Sequence, residues 1–205
     1  MRVDEALAAA AQRQQVFADA VIAIAVTLLA LGLPVPRGDT NAELLASAGE
    51  HLDDYSMFCI SFVVIFLRWS SHHRVFRYVV GTDRTVGLLS GVWLFLLVLT
   101  PFTTEVLSGD GAFQVRFGLY ATVQGLVSVT FLFMTRHVVR TGLARDVAPS
   151  AVFSHAIGGS ATSAAGFFVS IPVSFVTPWA YALWAAVPVL AGVLARARRR
   201  AAGLA

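Results

Sequence analysis

Stretches of about twenty apolar residues recur six times along this 205-residue chain, separated by short polar or charged connections. A bilayer core about 30 Å thick takes roughly 20 helical residues to cross, since each adds about 1.5 Å. In hydrocarbon every backbone N–H and C=O must be satisfied internally, so runs of this length read as transmembrane helices. Composition agrees. The chain is 57% hydrophobic and 13% charged, against roughly 45–50% and about 25% for a soluble domain. The expectation is an all-α polytopic membrane protein, with residues 1–205 forming one six-helix transmembrane domain and nothing left over for a soluble one.

The predicted spans are Gln15–Leu33, Glu50–Ser71, Thr85–Leu107, Phe113–Val139, Ser150–Ile171 and Pro178–Ala195. Pro34 and Pro36 stop the first, Gly109 to Gly111 turns the chain after the third, and Pro178 starts the sixth. The opening MRVDEALAAAAQRQQ carries two acids and a polar gap, and no short apolar core ending in a cleavage-like small-residue motif follows it, so the first span is read as retained. The single cysteine, Cys59, allows no disulfide framework and no CxxC site. No internal duplication relates the first three spans to the last three, which weighs against an inverted-repeat transporter.

All fifteen basic residues are arginine, and their placement sets the orientation. With the N-terminus cytoplasmic, thirteen lie inside (Arg2, Arg13, Arg68, Arg74, Arg77, Arg84, Arg136, Arg140, Arg145, Arg196, Arg198, Arg199 and Arg200), leaving Arg37 and Arg116 outside. Both termini are therefore expected in the cytoplasm. Topology and attraction to anionic lipid account for the arginines, including RARRR near the end, without a nucleic-acid partner. The outer segments carry an acidic excess, which either concentrates cations or is an ordinary solvated face.

The first span, FADAVIAIAVTLLAL, is hydrocarbon apart from Asp19 near its start. Ile24, Leu28 and Leu31 form one stripe at i, i+4 and i+7, with Thr27 beside it. Such a stripe either fills a lipid or protein interface or lines a constriction that gates by dewetting, and the pattern leaves both open. Asp19 lies about 140° round the helix from Ile24. A carboxylate inside a bilayer costs roughly 2.5–3.5 kcal/mol, so it should have a partner. If Ile24 faces a pore, Asp19 points back into protein. The second span ends in LRWSSHHRVFRYVVGTDR at the same depth, and a histidine of that segment is the expected partner. His72 and His73 point about 100° apart, a poor two-ligand metal clamp, and no metal site is predicted. Either histidine could instead snorkel among head groups.

Three motifs in order then resemble one family. RQQVFADAVIAIAVTLLAL resembles the RxxxFSD signature of the transmembrane protein 175 family, the endosomal and lysosomal potassium channels and their bacterial relatives. SFVVIFLRWSSHHRVFRYV and LLSGVWLFLLVLTPFTTEVL are similar to that family's tryptophan, double-histidine and Pro-Phe-Thr stretches. The resemblance covers roughly residues 13–107. It implies a bacterial plasma-membrane, potassium-favouring cation channel with no cofactor, assembled from six-helix chains into a homotetramer around a central pathway lined by the first helix. By position it assigns the hydrophobic constriction to Ile24, with further layers at Thr27, Leu28 and Leu31. Arg13, Phe17, Asp19, His72 and His73 become the inner network that fixes the pore helices. The chain departs at Ala18, where the signature has serine, and lacks the asparagine often found in the third helix.

Other matches fail on context. Thr85-Val86-Gly87 begins like the potassium-filter sequence TVGYG, but Leu88 and Leu89 follow, at the head of a helix rather than in a re-entrant loop. The small-residue stretches Gly87 to Gly91 and Gly158 to Gly166 are read as helix-packing surfaces. Thr122, Gln124, Ser128 and His155 are expected to hydrogen-bond between helices. No GxSxG, HExxH or phosphate-binding glycine loop occurs, and the chain is not read as an enzyme. A proton-coupled secondary transporter using Asp19 and the two histidines is the alternative, and a non-conducting membrane scaffold the third.

Overall fold

The structure, a computed structural model, describes residues 3–145 and 147–201, with side chains described for residues 9–145, 147–194 and 197. Among the described residues the fold is all-α: α1 (Val3–Leu31), α2 (Asn41–Glu50), α3 (Leu52–Phe76), α4 (Arg84–Val98), α5 (Thr100–Ser108), α6 (Phe113–Arg140), α7 (Ser150–Val173), a 3-10 turn (Pro178–Tyr181) and α8 (Ala182–Ala201). Arg2 lies outside the described residues, as do the side chains of Arg196, Arg198, Arg199 and Arg200.

Several boundaries differ from those expected. Helix α1 begins at Val3, well before Gln15, because the alanine-rich opening has high helix propensity and no breaker. The short α2 was not anticipated, although Thr40-x-x-Glu43 is its capping box: Glu43 N–H donates to Thr40 Oγ1, and the Thr40 and Asp39 N–H groups donate to Glu43 Oε2. Those two donors, Asp39 first, hold the Glu43 carboxyl below its usual range. The expected third span is two helices, α4 and α5, parted at Leu99, where Pro101 removes a backbone donor from the first turn of α5.

By length and composition, four helical stretches among the described residues can cross a membrane: Ala9–Leu31, Arg84–Ser108, Phe113–Arg140 and Ser150–Val173. Asp53, Asp54, Arg68 and Arg74 make α3 more polar than these, although it is 25 residues long. The apolar stretch Pro178–Leu194 is shorter than the four.

Helix α6 is the centre of the bundle. It packs against α4, α5 and α7, while α1 lies across α3, α4 and α5. One core joins α1, α3, α4, α6 and α7 around Ile65, Trp93, Val127 and Met134, and a second gathers Phe117, Tyr120, Phe167 and Ala180 with Trp184 against them. Between the two runs a buried polar chain. Gln124 Nε2 donates to Thr100 Oγ1 (3.0 Å), Thr104 Oγ1 donates to Ser61 Oγ (2.8 Å), and Ser61 Oγ pairs with the Tyr120 hydroxyl (3.1 Å). These bonds tie α3, α5 and α6 together where lipid offers no competing partner. Ser128 and His155 correct the expected pattern, bonding instead to carbonyls of their own helices, Gln124 and Ala151. Gly87 and Gly91 also differ from expectation: a Cβ added at either would meet nothing within 4 Å, whereas one at Gly166 would meet the Leu183 carbonyl of α8 at 3.0 Å.

The segments after α3 and after α6 meet at one end of the bundle. Val80 N–H donates to Leu143 O (2.9 Å) and Arg145 N–H to Tyr78 O (2.8 Å), making a single antiparallel bridge. Nearby, His137 Nε2 contacts Asp83 Oδ2 at 2.6 Å. That contact, followed by the Val86 N–H that Asp83 caps at the start of α4, holds the Asp83 carboxyl below its usual range.

Candidate functional site

Helix α1 has two faces of similar chemistry and opposite fate. Ala18, Ile22, Ala25 and Leu29, spaced by four, three and four residues, are buried against the bundle. The alanines let α1 approach its neighbours closely. On the other side Phe17, Ile24, Leu28 and Leu31 are exposed by 62%, 59%, 46% and 80%, and Thr27 lies exposed among them. Only 22% of the apolar stretch of α1 is buried, against 61% for α6. A helix this apolar with an open face requires lipid or another chain there.

The stripe holds one hydroxyl. Thr27 Oγ1 donates to the Ile24 carbonyl at 2.8 Å, so its proton is engaged and its oxygen lone pairs face outward from a helix surface otherwise lined by carbon. Arg13 lies on this exposed side as well, a turn before Phe17.

Asp19 is fixed from α3. The indole Nε1 of Trp69 donates to Asp19 Oδ1 at 2.8 Å. One turn toward the start of α1, Gln15 Nε2 meets His73 Nδ1 at 3.2 Å, and the His73 ring lies tilted against Trp69 with centroids 5.6 Å apart. The helices are antiparallel, so positions four apart on α1 meet positions four apart on α3 in reverse order. At the far end of the pair, the Tyr55 hydroxyl donates to Pro34 O at 3.0 Å. These contacts set both the rotation and the height of α1.

The expected histidine partner for Asp19 is therefore corrected. His72 is buried between Phe76 and Trp93, with ring centroids 4.0 and 4.7 Å away and planes within 15° of parallel. His73 reaches Gln15 instead. The 100° step between adjacent helical positions sends one ring into the core and the other toward α1. Within one chain, Arg13 and Phe17 stay on the open face, away from the Asp19 bond. Sequence reasoning missed Gln15, Trp69 and Tyr55. The signal was present in the spacing Gln15/Asp19 against Trp69/His73, but it needs the pairing of α1 with α3 before it can be read.

Among the described residues no three His, Cys, Asp or Glu side chains converge as a metal site. Residues 13–101 match the family model described as the endosomal/lysosomal potassium channel TMEM175. A potassium channel of Streptomyces collinus is 34% identical over 134 residues, covering 63% of this chain and 65% of that protein. One from Chamaesiphon minutus is 31% identical over 130 residues, covering 61% and 64%. The matches thus span just under two thirds of these relatives' length. The chicken endosomal/lysosomal proton channel TMEM175 is 34% identical over 105 residues, 47% of this chain and 21% of that one. In fold, the chain is similar to the crystal structure of a lysosomal potassium-selective channel TMEM175 homologue from Chamaesiphon minutus, with a TM-score of 0.74 at 23% identity, covering 90% of this chain and 97% of that one.

Proposed function

The chain is related through residues 13–101 to the TMEM175 family of potassium channels, a non-enzymatic class, and from that premise we propose that it forms a potassium-favouring cation channel in a bacterial plasma membrane. In this reading α3 and α8 complete six crossings, both termini are cytoplasmic, and four copies surround one pathway lined by α1. The single observation that carries it is the open face of α1. Its opposite face is packed, and its rotation is fixed by Trp69 on Asp19, so Ile24, Thr27, Leu28 and Leu31 are presented together away from the protein.

Ile24, Leu28 and Leu31 form a constriction that excludes water when narrow and conducts when widened. Carbon walls cannot replace a hydration shell, so discrimination among monovalent ions falls to the Thr27 oxygen and to pore width. Asp19 and its α3 partners hold the helix rather than face the ion. Arg13 and Phe17 continue the stripe toward the cytoplasm, where they meet neighbouring copies.

A coupled transporter using Asp19 and the histidines loses its relay in this geometry, since neither imidazole contacts the carboxylate. Purified protein in liposomes separates the readings. Passive potassium flux without obligatory proton exchange is expected. Strictly coupled exchange would favour the transporter, and silence toward every monovalent cation the scaffold. Proton permeation, the activity named for the chicken relative, is measured in the same vesicles.

A further inference from the structure

A cavity of about 530 Å³ lies between α3 and α7, floored by Phe131 of α6 and reached by Pro188 of α8, away from the α1 stripe. Its polar lining includes Arg68, Ser71, Arg74, His155, Ser160 and Ser163, and among the described residues no carboxylate lines it. Arg68 Nε is buried without a hydrogen-bond partner, while its guanidinium carbon sits 5.8 Å from the centroid of the Phe167 ring. A ring face offsets part of a buried cation's desolvation but accepts none of its N–H groups. The guanidinium keeps its charge, and its buried Nε has no acceptor among the described residues.

The surroundings favour the same sign. Ala151 and Val152, in the first turn of α7, line the cavity, and that 24-residue helix starts at Pro149 with no side-chain cap, leaving its positive end toward the site. The remaining walls are apolar, among them Leu67, Val75, Val152 and Ala156. Cationic groups and hydroxyls framed by hydrocarbon suit an amphiphile better than a free ion. Arginine, moreover, matches phosphate oxygens bidentately.

We propose that this cavity binds the phosphate of an anionic phospholipid head group, with Arg68 and Arg74 as the principal contacts and the acyl chains leaving along the apolar wall. Arg68 precedes Trp69, which holds Asp19, so an occupied site braces α3 about 100° round the helix from that bond.

The test reads binding directly and does not depend on whether the chain conducts. The purified full chain is titrated with phosphatidylglycerol, phosphatidylcholine or inorganic phosphate, and retained lipid is followed by native mass spectrometry beside the thermal midpoint. Phosphatidylglycerol should be retained about tenfold or more over phosphatidylcholine, because both offer a phosphate but only choline brings a cation that cancels its charge and is repelled by the arginines. Arg68→Gln should abolish the preference. Gly159→Leu should do the same by filling the cavity, and it guards against misfolding of the arginine variant because an added Cβ there meets nothing within 4 Å. Stabilisation by inorganic phosphate without any lipid preference would overturn the lipid assignment. Equal retention of both lipids, or a preference unchanged in Gly159→Leu, would overturn the site.

Discussion

Trp69 Nε1 and Asp19 Oδ1 lie 2.8 Å apart, joining α3 to α1 at the level where α1 passes from its polar start into its apolar stripe. The indole can only donate and the carboxylate can only accept, so the pair has one arrangement. It gives a charge inside an apolar helix a partner and points it away from Ile24.

Trp69→Phe removes the donor and leaves a half-buried carboxylate unpaired, at a cost of about 1–3 kcal/mol. Asp19→Asn keeps an acceptor oxygen for the indole and should cost less. Thermal midpoints of both variants and of the double variant check this, and strict additivity would show that the two side chains do not act as a pair. Cation selectivity should change only after assembly or opening does.

Ile22 and Ile24 separate packing from permeation within a single turn. Ile24→Ser alters an exposed position, so stability should shift by within about 0.5 kcal/mol while conductance rises and selectivity relaxes. Ile22→Ser, on the packed face, should lower stability by about 2–3 kcal/mol through lost packing and an unsatisfied hydroxyl. Single-channel recording beside melting curves distinguishes them. Unchanged currents for Ile24→Ser would remove that residue from the constriction.

Acid sensitivity should trace partly to Asp83. The His137 contact, then the Val86 N–H, depresses its folded pKa. Its contribution is therefore present above the unfolded value, about 3.9, and is lost as pH falls through the lower folded value. Asp83→Asn keeps the helix cap but not the charge. The midpoint-against-pH curve of the variant should be flatter below about pH 4, and an unchanged acid limb would assign the loss to other groups.

Gly166 and Gly158 test which part of the small-residue run is packed. A Cβ at Gly166 meets the Leu183 carbonyl at 3.0 Å, whereas one at Gly158 meets nothing within 4 Å. Gly166→Ala should destabilise by about 1 kcal/mol or more as α7 and α8 separate. Gly158→Ala should be neutral or mildly stabilising, since alanine is the better helix former. Detergent melting curves of the two variants check the contrast.

Much of the molecule could be read from residue order. Membrane-length apolar runs give helices because hydrocarbon leaves the backbone no other way to satisfy itself. The prolines and glycines mark most of the turns, and the three ordered motifs within residues 13–107 carry the family likeness. The stripe of Ile24, Thr27, Leu28 and Leu31 was legible as a stripe. Its exposure was not, because α1 is apolar nearly all round and local pattern cannot tell a packed face from an open one. Nor could order choose among Trp69, His72 and His73 for Asp19, since that depends on how α1 and α3 are rotated against each other. The same holds for Arg68, whose buried Nε is left without an acceptor only when α3, α6 and α7 close around it. The sequence determined which segments are helical; only the packed bundle, through distances between residues far apart in the chain, decided which way each helix turns and hence which groups meet.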